Sequence, residues 1–240
     1  MWGRSRVEVV VPAYEEAPRV GKVLATMPAW VDRVWVVDDA STDGTAEAAM
    51  ASGDARLELL RHTTNRGVGA AITTGYRRAL AEGGNQRDVF AVMAGDGQMD
   101  PADLARLVAP VALDEADYAK GDRLGTKDVA RKMPPERRLG GVAFSWATSR
   151  AIGIAISDSQ CGYTAISRRA CERLDLDDLW PGYGYPNDLL SQLALRGLRI
   201  VEVPVRAVYA DEVSRLRLRH LPVIGALVAR AWVRKLVAGL

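Results

Sequence analysis

The chain has 240 residues, of which 48% are hydrophobic and 26% charged, with a formal net charge of +2. This composition excludes a disordered chain and a disulfide-rich secreted scaffold, and it fits one large globular domain, with or without an appendage. The two cysteines, Cys161 and Cys171, lack metal-ligand spacing, which predicts free thiols in a reducing compartment. The N-terminus runs straight into a strand-like segment without the pattern of a signal peptide.

The first half of the chain alternates apolar, β-branched runs with segments of helical spacing. Strands are predicted at residues 7–11, 31–37, 57–60 and 89–93, and a helical segment follows each of them. This alternation predicts α/β architecture with mostly parallel pairing in a central sheet flanked by helices. In such sheets, ligands bind at the carboxyl ends of the strands.

Polar side chains follow three of these strands at the point where each strand ends. They are Pro12, Tyr14 and Glu16 after the first strand, Asp38 and Asp39 after the second, and Asp96 and Gln98 after the fourth. Because the carboxyl ends of parallel strands share one edge of the sheet, we expect these side chains to converge. Asp96 and Gln98 offer the hard oxygen ligands that Mg²⁺ or Mn²⁺ takes alongside phosphate. The pattern favours a nucleotide and metal site over polar turns without a ligand. Asp100 is predicted to cap the helix that Pro101 begins.

The second half of the chain is less regular. Strands are predicted at residues 116–120, 164–167 and 200–205, and a long helix at 136–156. Two prolines and two glycines make residues 180–186 an irregular loop. Asn187 or Asp188 is predicted to cap the helix that follows and ends near Gly197.

The C-terminal tail is basic. From residue 206 onward there are seven Lys or Arg against two acids, which indicates an anionic surface as partner. After Pro222, an apolar stripe at helical spacing predicts an amphipathic helix lying in a membrane interface, and the alternative is a helix packed on the domain or on another subunit. The longest apolar run, 221–229, is too short to span a bilayer. The stripe consists of Val223, Leu227, Val228, Ala231 and Trp232.

The motifs resemble those of the family 2 glycosyltransferases with the GT-A fold, and in particular the dolichyl- or polyprenyl-phosphate mannose synthase-like sugar transferases. The matching pieces are VVVPAYEE (9–16), VVDDASTDGT (36–45), NRGVGAA (65–71) and AGDGQMDP (94–101), with weaker matches at KGDR (120–123), SDSQCGY (157–163) and VEVPV (201–205). The resemblance implies a GT-A domain at 1–212, followed by a basic amphipathic tail at 213–240. It covers roughly residues 7–215.

The resemblance also implies roles for individual residues. The nucleotide would be held by Pro12, Tyr14, Glu16, Asp38 and Asp39, and Asp96 and Gln98 would bind Mg²⁺ or Mn²⁺ on the diphosphate. Lys120 and Arg123 would meet the diphosphate or the sugar, and Asp158 lies in the acceptor-side loop. The family usually carries Asp-x-Asp at the metal loop, but Ala94 stands at the first position here. The catalytic set predicted in this way is Asp96, Asp158 and Arg123.

The function implied is transfer of a sugar from a GDP-mannose or UDP-glucose type donor to a polyprenyl-phosphate lipid at the inner face of the cell membrane. The anionic acceptor would meet Arg137, Arg138, Arg215 and Arg217. If the acceptor were instead a glycan hydroxyl, a base would be needed, and Asp158 or Asp188 is the candidate. A non-catalytic nucleotide-binding scaffold at the membrane is a third hypothesis, motivated by Ala94. The pattern argues against nucleic acid as a partner, and it is compatible with a homo-oligomer.

Overall fold

The computed structural model describes residues 2–125, 135–206, 208 and 221–239, and no side chains for residues 135–137. The strands are β1 (Val7–Ala13), β2 (Arg33–Asp38), β3 (Leu57–Arg61), β4 (Val89–Val92), β5 (Tyr118–Asp122), β6 (Thr164–Ser167) and β7 (Ile200–Pro204). The helices are α1 (Ala17–Ala25), α2 (Thr45–Met50), α3 (Val68–Ala81), α4 (Leu104–Ala112), α5 (Pro135–Ile152), α6 (Arg168–Glu172), α7 (Tyr185–Leu195) and α8 (Leu221–Val237), with a 3₁₀ turn at Pro101–Asp103. The predicted strands are all present, with their ends shifted by a few residues.

The strands form one sheet in the order β3-β2-β1-β4-β6-β5-β7. Only β6 runs antiparallel to its neighbours, β4 and β5, while the other pairs are parallel. The mostly parallel α/β sheet predicted from the sequence is therefore confirmed. The chain winds outward from β1 through β2 and β3, then returns to place β4 on the other side of β1. This reversal creates a topological switch point between β1 and β4, where open α/β sheets bind ligands.

Alternating side chains of β1 divide the core into two layers. Val9 and Val11 face a cluster that includes apolar residues of α1 and α4, whereas Val10 faces a cluster built with α3, α5, α7 and α8. Both layers are buried because a parallel sheet in an α/β protein is covered by helices on each face. The two layers hold the sheet rigidly enough to position the loops at its carboxyl edge.

Gly75 allows α3 to lie directly on β1. A Cβ atom at this position would come within 2.7 Å of Val10 Cγ2. Gly75→Ala should therefore destabilise the fold by about 1–3 kcal/mol through overpacking, even though alanine is the better helix former by about 1 kcal/mol. The matched control is Gly140→Ala on α5, where a Cβ atom would have no neighbour within 4 Å. Urea unfolding should show a lower midpoint for the first variant and an unchanged or higher one for the control. Equal midpoints for Gly75→Ala and the parent chain would contradict this packing.

The start of α7 differs from the prediction. Neither Asn187 nor Asp188 caps this helix, because it begins before both of them, at Tyr185, with Gly184 as the N-cap at φ +96°. Pro186 does not prevent this start, since a proline in the first turn lacks only an N–H that has no helical partner there. Asn187 and Asp188 consequently lie inside the first turn, where both are buried.

The apolar stripe predicted to meet a membrane is largely buried against the domain. Leu227, Val228 and Ala231 of α8 belong to its buried side, and α8 packs on α5 and α7. Val223 is partly buried, and Trp232 is the exposed member of the stripe. The prediction of an interfacial stripe was wrong for the buried members, because the same helical spacing also serves a helix that packs on its own domain. In the part of the chain that the structure describes, no helix is long and apolar enough to cross a bilayer.

Candidate active site

The polar ends of β1, β2 and β4 meet at one edge of the sheet. The Asp39 amide donates a hydrogen bond to the Ala13 carbonyl at 2.9 Å, and the Gly95 amide donates one to the Pro12 carbonyl at 3.0 Å. The convergence predicted from the sequence is therefore confirmed. Because β6 is antiparallel, the loop that precedes it, residues 157–163, also lies at this edge, next to the end of β5.

The loop after β1 is tied to the loop after β2. The Glu16 amide donates to Thr45 Oγ1 at 2.8 Å, and the carboxylate of Glu15 accepts a hydrogen bond from the Thr42 amide at 2.8 Å. Pro12 and Glu16 are buried, while Tyr14 is 39% exposed. Among the residues predicted to hold the nucleotide, Tyr14 therefore presents its ring at the surface of this edge, and Pro12 and Glu16 support the loop behind it.

Asp38 is fully buried and serves the turn after β2. Its Oδ1 accepts a hydrogen bond from the Ser41 amide at 3.0 Å, and its Oδ2 lies 3.1 Å from Arg61 Nε. This carboxylate fixes the turn that carries residues 41–45. Its side chain is 0% exposed, so Asp38 supports the loop of the predicted nucleotide pocket from the protein interior.

Asp39 links the ends of β2 and β3 to the start of α3. Its carboxylate accepts hydrogen bonds from the Arg66 and Gly67 amides at 2.9 and 2.7 Å, and it contacts His62 Nδ1 at 2.6 Å. The other ring nitrogen of His62 lies 2.9 Å from Thr74 Oγ1. Sequence reasoning missed His62, although a signal existed, because this residue directly follows β3 at the same edge of the sheet. A carboxylate has about four acceptor sites, and these three contacts leave one of them on Asp39, whose side chain is 4% exposed.

The loop predicted to bind a metal, residues 94–98, contains the carboxylate of Asp96 and the amide side chain of Gln98. Asp96 is partly buried, and its Oδ1 accepts a hydrogen bond from the Gln98 amide at 3.0 Å. The nearby Asp100 accepts a hydrogen bond from the Ala102 amide at 2.9 Å, which confirms its prediction as a cap. Asp100 also pairs with Arg206, and so does Asp103. Because Asp96 lies closest to the end of β4 at the carboxyl edge, it is the acid of this loop best placed for a cation.

The donor set around Asp96 does not make a complete metal site. Among the described residues, no three His, Cys, Asp or Glu side chains cluster closely enough to hold an ion. A carboxylate and an amide oxygen nevertheless suit Mg²⁺, which keeps several waters and is usually bound through one or two carboxylates together with substrate phosphates. The residues present therefore fit a cation that arrives with, and is largely held by, a diphosphate.

Lys120 lies in the interior, not at the surface of the site. Its side chain is 0% exposed, and the ammonium group donates a hydrogen bond to the Cys161 carbonyl. Burial lowers the pKa of Lys120. This arrangement does not show the expected direct contact with a diphosphate or sugar, because the side chain is buried and its ammonium group is engaged by the Cys161 carbonyl. Lys120 instead fastens the 157–163 loop to the end of β5.

Arg123 and Asp158 form a two-pronged ion pair across this edge. Arg123 Nε lies 2.7 Å from Asp158 Oδ2, and Arg123 Nη2 lies 3.0 Å from Oδ1. Asp158 is 1% exposed, whereas the Arg123 side chain is 26% exposed. Burial alone would raise the pKa of Asp158, but the charge and hydrogen bonds of Arg123 outweigh it and hold this pKa below its usual value. An ionised carboxylate held in this way is a poor general base, so Asp158 is better suited to orienting Arg123.

Asp188, the other candidate base, holds two segments of the chain together. It is fully buried, accepts a hydrogen bond from the Trp180 amide at 2.9 Å, and lies 2.7 Å from Arg234 Nη1 on α8. Asp188 therefore fixes both the loop before α7 and the C-terminal helix. That loop in turn contacts the start of α3, where the Ala70 amide donates to the Pro181 carbonyl at 3.0 Å.

Of the four arginines predicted to meet the acceptor phosphate, one has a described side chain. Arg138 is exposed on the first turns of α5. The side chain of Arg137, and Arg215 and Arg217 altogether, lie outside the described residues. Both cysteines are free and buried.

The fold has solved counterparts. A structure of glucosyl-3-phosphoglycerate synthase from Mycobacterium tuberculosis, in complex with Mn²⁺, UDP and glucosyl-3-phosphoglycerate, superposes with a TM-score of 0.67 over 98% of this chain and 80% of that one, at 20% identity. Another structure of that enzyme contains Mg²⁺ and UDP and gives a TM-score of 0.65 at 20% identity. At this level of identity the likeness shows the fold, which is that of GT-A glycosyltransferases.

Sequence relatives extend over most of the chain. An undecaprenyl-phosphate mannosyltransferase of Micrococcus luteus is 34% identical over 83% of this chain and 82% of its own length. A polyprenol monophosphomannose synthase of Mycolicibacterium smegmatis is 32% identical over 83% of this chain and 76% of its own. The profile of the family described as Glycosyl transferase family 2 matches residues 8–175, so the chain belongs to this family and is a glycosyltransferase.

Proposed function

We propose that the chain transfers a sugar from a nucleotide diphosphate-sugar to a polyprenyl phosphate, at the inner face of the cell membrane. One observation supports this acceptor over a glycan hydroxyl. The two carboxylates that could act as a base, Asp158 and Asp188, are both buried and paired with arginines. A hydroxyl acceptor needs proton abstraction in the transition state, whereas a phosphate monoester is already anionic near neutral pH and can attack without a base.

The relatives agree with this choice of acceptor. Besides the two mannose transferases, a protein of Methanococcus voltae named UDP-N-acetylglucosamine–dolichyl-phosphate N-acetylglucosaminyltransferase is 26% identical over 85% of this chain and 86% of its own length. The names of all three proteins specify a polyprenol or dolichol acceptor. The sugars named differ among them, mannose in two and N-acetylglucosamine in the third, so GDP-mannose and UDP-glucose types both stay open for this chain.

In this proposal, one end of the site binds the nucleotide and the cation, and the other end, at Arg123, meets the acceptor phosphate. Tyr14 and Asp39 would contact the nucleotide at the ends of β1 and β2, and Asp96 with Gln98 would hold Mg²⁺ or Mn²⁺ against the diphosphate. The cation would neutralise charge that develops on the leaving nucleoside diphosphate. Arg123, oriented by Asp158, would supply a fixed positive charge where the diphosphate and the acceptor phosphate approach each other.

Nucleotide binding gives the direct test. GDP and UDP, each with and without Mg²⁺, should be compared for their effect on the thermal unfolding of the full chain. The matching nucleoside diphosphate with Mg²⁺ should stabilise the fold by about 2.7 kcal/mol at a concentration of 100 times its Kd. The preferred donor should then be consumed with a polyprenyl phosphate and not with a soluble glycan. Stabilisation by neither nucleotide, or transfer to the glycan only, would overturn the proposal.

A further inference from the structure

The outer side of α8 is apolar where a surface helix normally carries charge. Ala229, Trp232 and Leu236 are exposed, Leu236 to 70%, whereas a helix on a soluble domain usually places its polar residues outward. Of the three cations of α8, Lys235 lies beside Gly153, just after α5, and the other two point toward the domain. Arg230 and Arg234 turn toward the domain and pair with Asp178 and Asp188.

A second exposed apolar stripe runs along α5. Leu139, Val142 and Trp146 recur at helical spacing, and Leu139 is 72% and Trp146 66% exposed. Two exposed arginines, Arg138 and Arg150, flank this stripe. The guanidinium carbon of Arg150 lies 6.0 Å from the centre of the Trp146 ring. A tryptophan with an adjacent arginine combines an apolar body with a polar rim, as residues at a membrane–water interface do.

The two helices that carry these stripes are neighbours. Both α5 and α8 pack on α7 and on each other, and one small cavity is lined by Ala151 and Ile152 of α5, Ala231 of α8 and Ser191 of α7. Both helices bury their other sides against the domain. We call the six exposed apolar residues of these two neighbouring helices the outer apolar face. They are Leu139, Val142, Trp146, Ala229, Trp232 and Leu236.

We infer that the outer apolar face docks onto an anionic lipid bilayer, an inference that rests on the proposed lipid acceptor. The charge pattern favours lipid over a second copy of the chain. Residues 138–152 and 221–237 contain no acidic residue. A two-fold dimer through this face would therefore bring Arg138 and Arg150 of one copy near the same arginines of the other, with no carboxylate on the face to pair with them. In a bilayer, anionic headgroups supply the negative charge that these arginines need. The boundary between headgroups and acyl chains accommodates the apolar side chains.

The position of the face suits the reaction. In sequence, α5 lies between the loop that carries Arg123 and the loop that carries Asp158. In space, a Cβ atom on Gly141 would lie 3.6 Å from Leu124 Cδ1, so the first turns of α5 pack beside the residue that follows Arg123. A bilayer against α5 would therefore bring lipid headgroups next to the acceptor end of the site. This surface shares only Trp232 with the stripe predicted from the sequence, whose other members are buried or partly buried.

The test compares vesicle binding of the full chain and two variants. The double variant Trp146→Glu/Leu236→Glu places charge on the outer apolar face. The control, Leu113→Glu, changes a side chain that is 63% exposed at the end of α4, on the opposite side of the sheet. Co-sedimentation with vesicles of phosphatidylcholine and phosphatidylglycerol should fall at least about tenfold for the double variant and stay unchanged for the control. Binding of the parent chain should weaken with added salt and with vesicles of phosphatidylcholine alone.

Two further measurements separate the possible failures. Turnover of a short, water-soluble prenyl phosphate, together with the unfolding midpoint, should be unchanged in the double variant, which shows that the fold and site are intact. Unchanged vesicle binding by the double variant would overturn the inference. The inference would also be overturned if the parent chain did not bind vesicles but self-associated, and if sedimentation showed that the double variant did not self-associate. If no lipid phosphate is ever a substrate but vesicle binding still depends on Trp146 and Leu236, the docking surface stands and the proposed function fails.

Discussion

Asp96→Asn should lower kcat for sugar transfer by about 10²–10³-fold while the chain stays folded. Asp96 is the acid in residues 94–98, and the asparagine keeps an oxygen that can still accept the hydrogen bond from the Gln98 amide. What disappears is the negative charge that would hold a divalent cation on the leaving diphosphate. The measurement is kcat at saturating donor and acceptor, with Mg²⁺ titrated for each protein.

The control for this result is Asp100→Asn. Asp100 stands in the same loop, but its carboxylate caps the turn at Pro101–Asp103 and pairs with Arg206. Asparagine caps about as well as aspartate, so this substitution should leave stability close to that of the parent chain and kcat within a few-fold of the parent value. If both variants lost turnover equally, or if Asp96→Asn kept it, the assignment of the metal to Asp96 would fail.

Ala94→Asp provides a gain-of-function counterpart. Metal affinity in carboxylate sites depends on the number of charged ligands, and this substitution supplies a second acid two residues before Asp96. The Mg²⁺ concentration that gives half-maximal turnover should fall by about tenfold. An unchanged titration would show that residue 94 lies too far from the cation, and it would weaken the parallel with Asp-x-Asp loops.

The sheet could be predicted from the sequence because its signals are local. The strands β1, β2 and β4 are apolar runs with β-branched residues, and each one ends at a polar turn. Their alternation with helices predicts parallel pairing and a shared carboxyl edge. The nearness of Pro12, Asp39 and Gly95 follows from that topology. The position of β6, antiparallel between β4 and β5, does not follow, since a strand of only four residues carries too little pattern to tell an edge from a central position.

Side-chain roles were harder to predict because they depend on contacts between distant segments. Lys120 and Asp188 both look available in the sequence, yet tertiary packing buries each of them completely. The helix α8 shows the same limit. Its apolar residues cover most of the helix circumference, so helical spacing could not decide which side would meet the domain. The acids that pair with Arg234 and fix the orientation of α8, Asp178 and Asp188, precede this arginine by more than forty residues in the sequence.

Arg123→Met should destabilise the fold by about 3–5 kcal/mol at neutral pH, because it leaves the buried carboxylate of Asp158 without its partner. Adding Asp158→Asn should recover much of that loss, since the double variant no longer buries a charge. Denaturant unfolding of the two single variants and the double variant gives the coupling energy between the residues. Additive losses would show that the ion pair contributes little.

The contribution of Asp158 to the pH dependence of stability should change sign in the Arg123→Met variant. In the parent chain the pKa of Asp158 lies below its usual value, so the stability from this group is present above the unfolded pKa of about 3.9 and is lost as pH falls through the lower, folded pKa. Without Arg123, burial dominates and raises the pKa of Asp158. Protonation then relieves the penalty, so the variant should gain stability relative to the parent as the pH is lowered through that raised pKa.

Activity decides whether Asp158 is a base or orients Arg123. Asp158→Asn should reduce kcat/KM for the acceptor, because Arg123 loses its fixed orientation, yet the shape of the pH–rate profile should stay that of the parent chain. A general base behaves differently: its removal abolishes the acidic limb of the profile. Loss of that limb in Asp158→Asn would restore Asp158 as the catalytic base, and with it a hydroxyl acceptor. An unchanged profile with weakened acceptor use supports an arginine held in place for a phosphate.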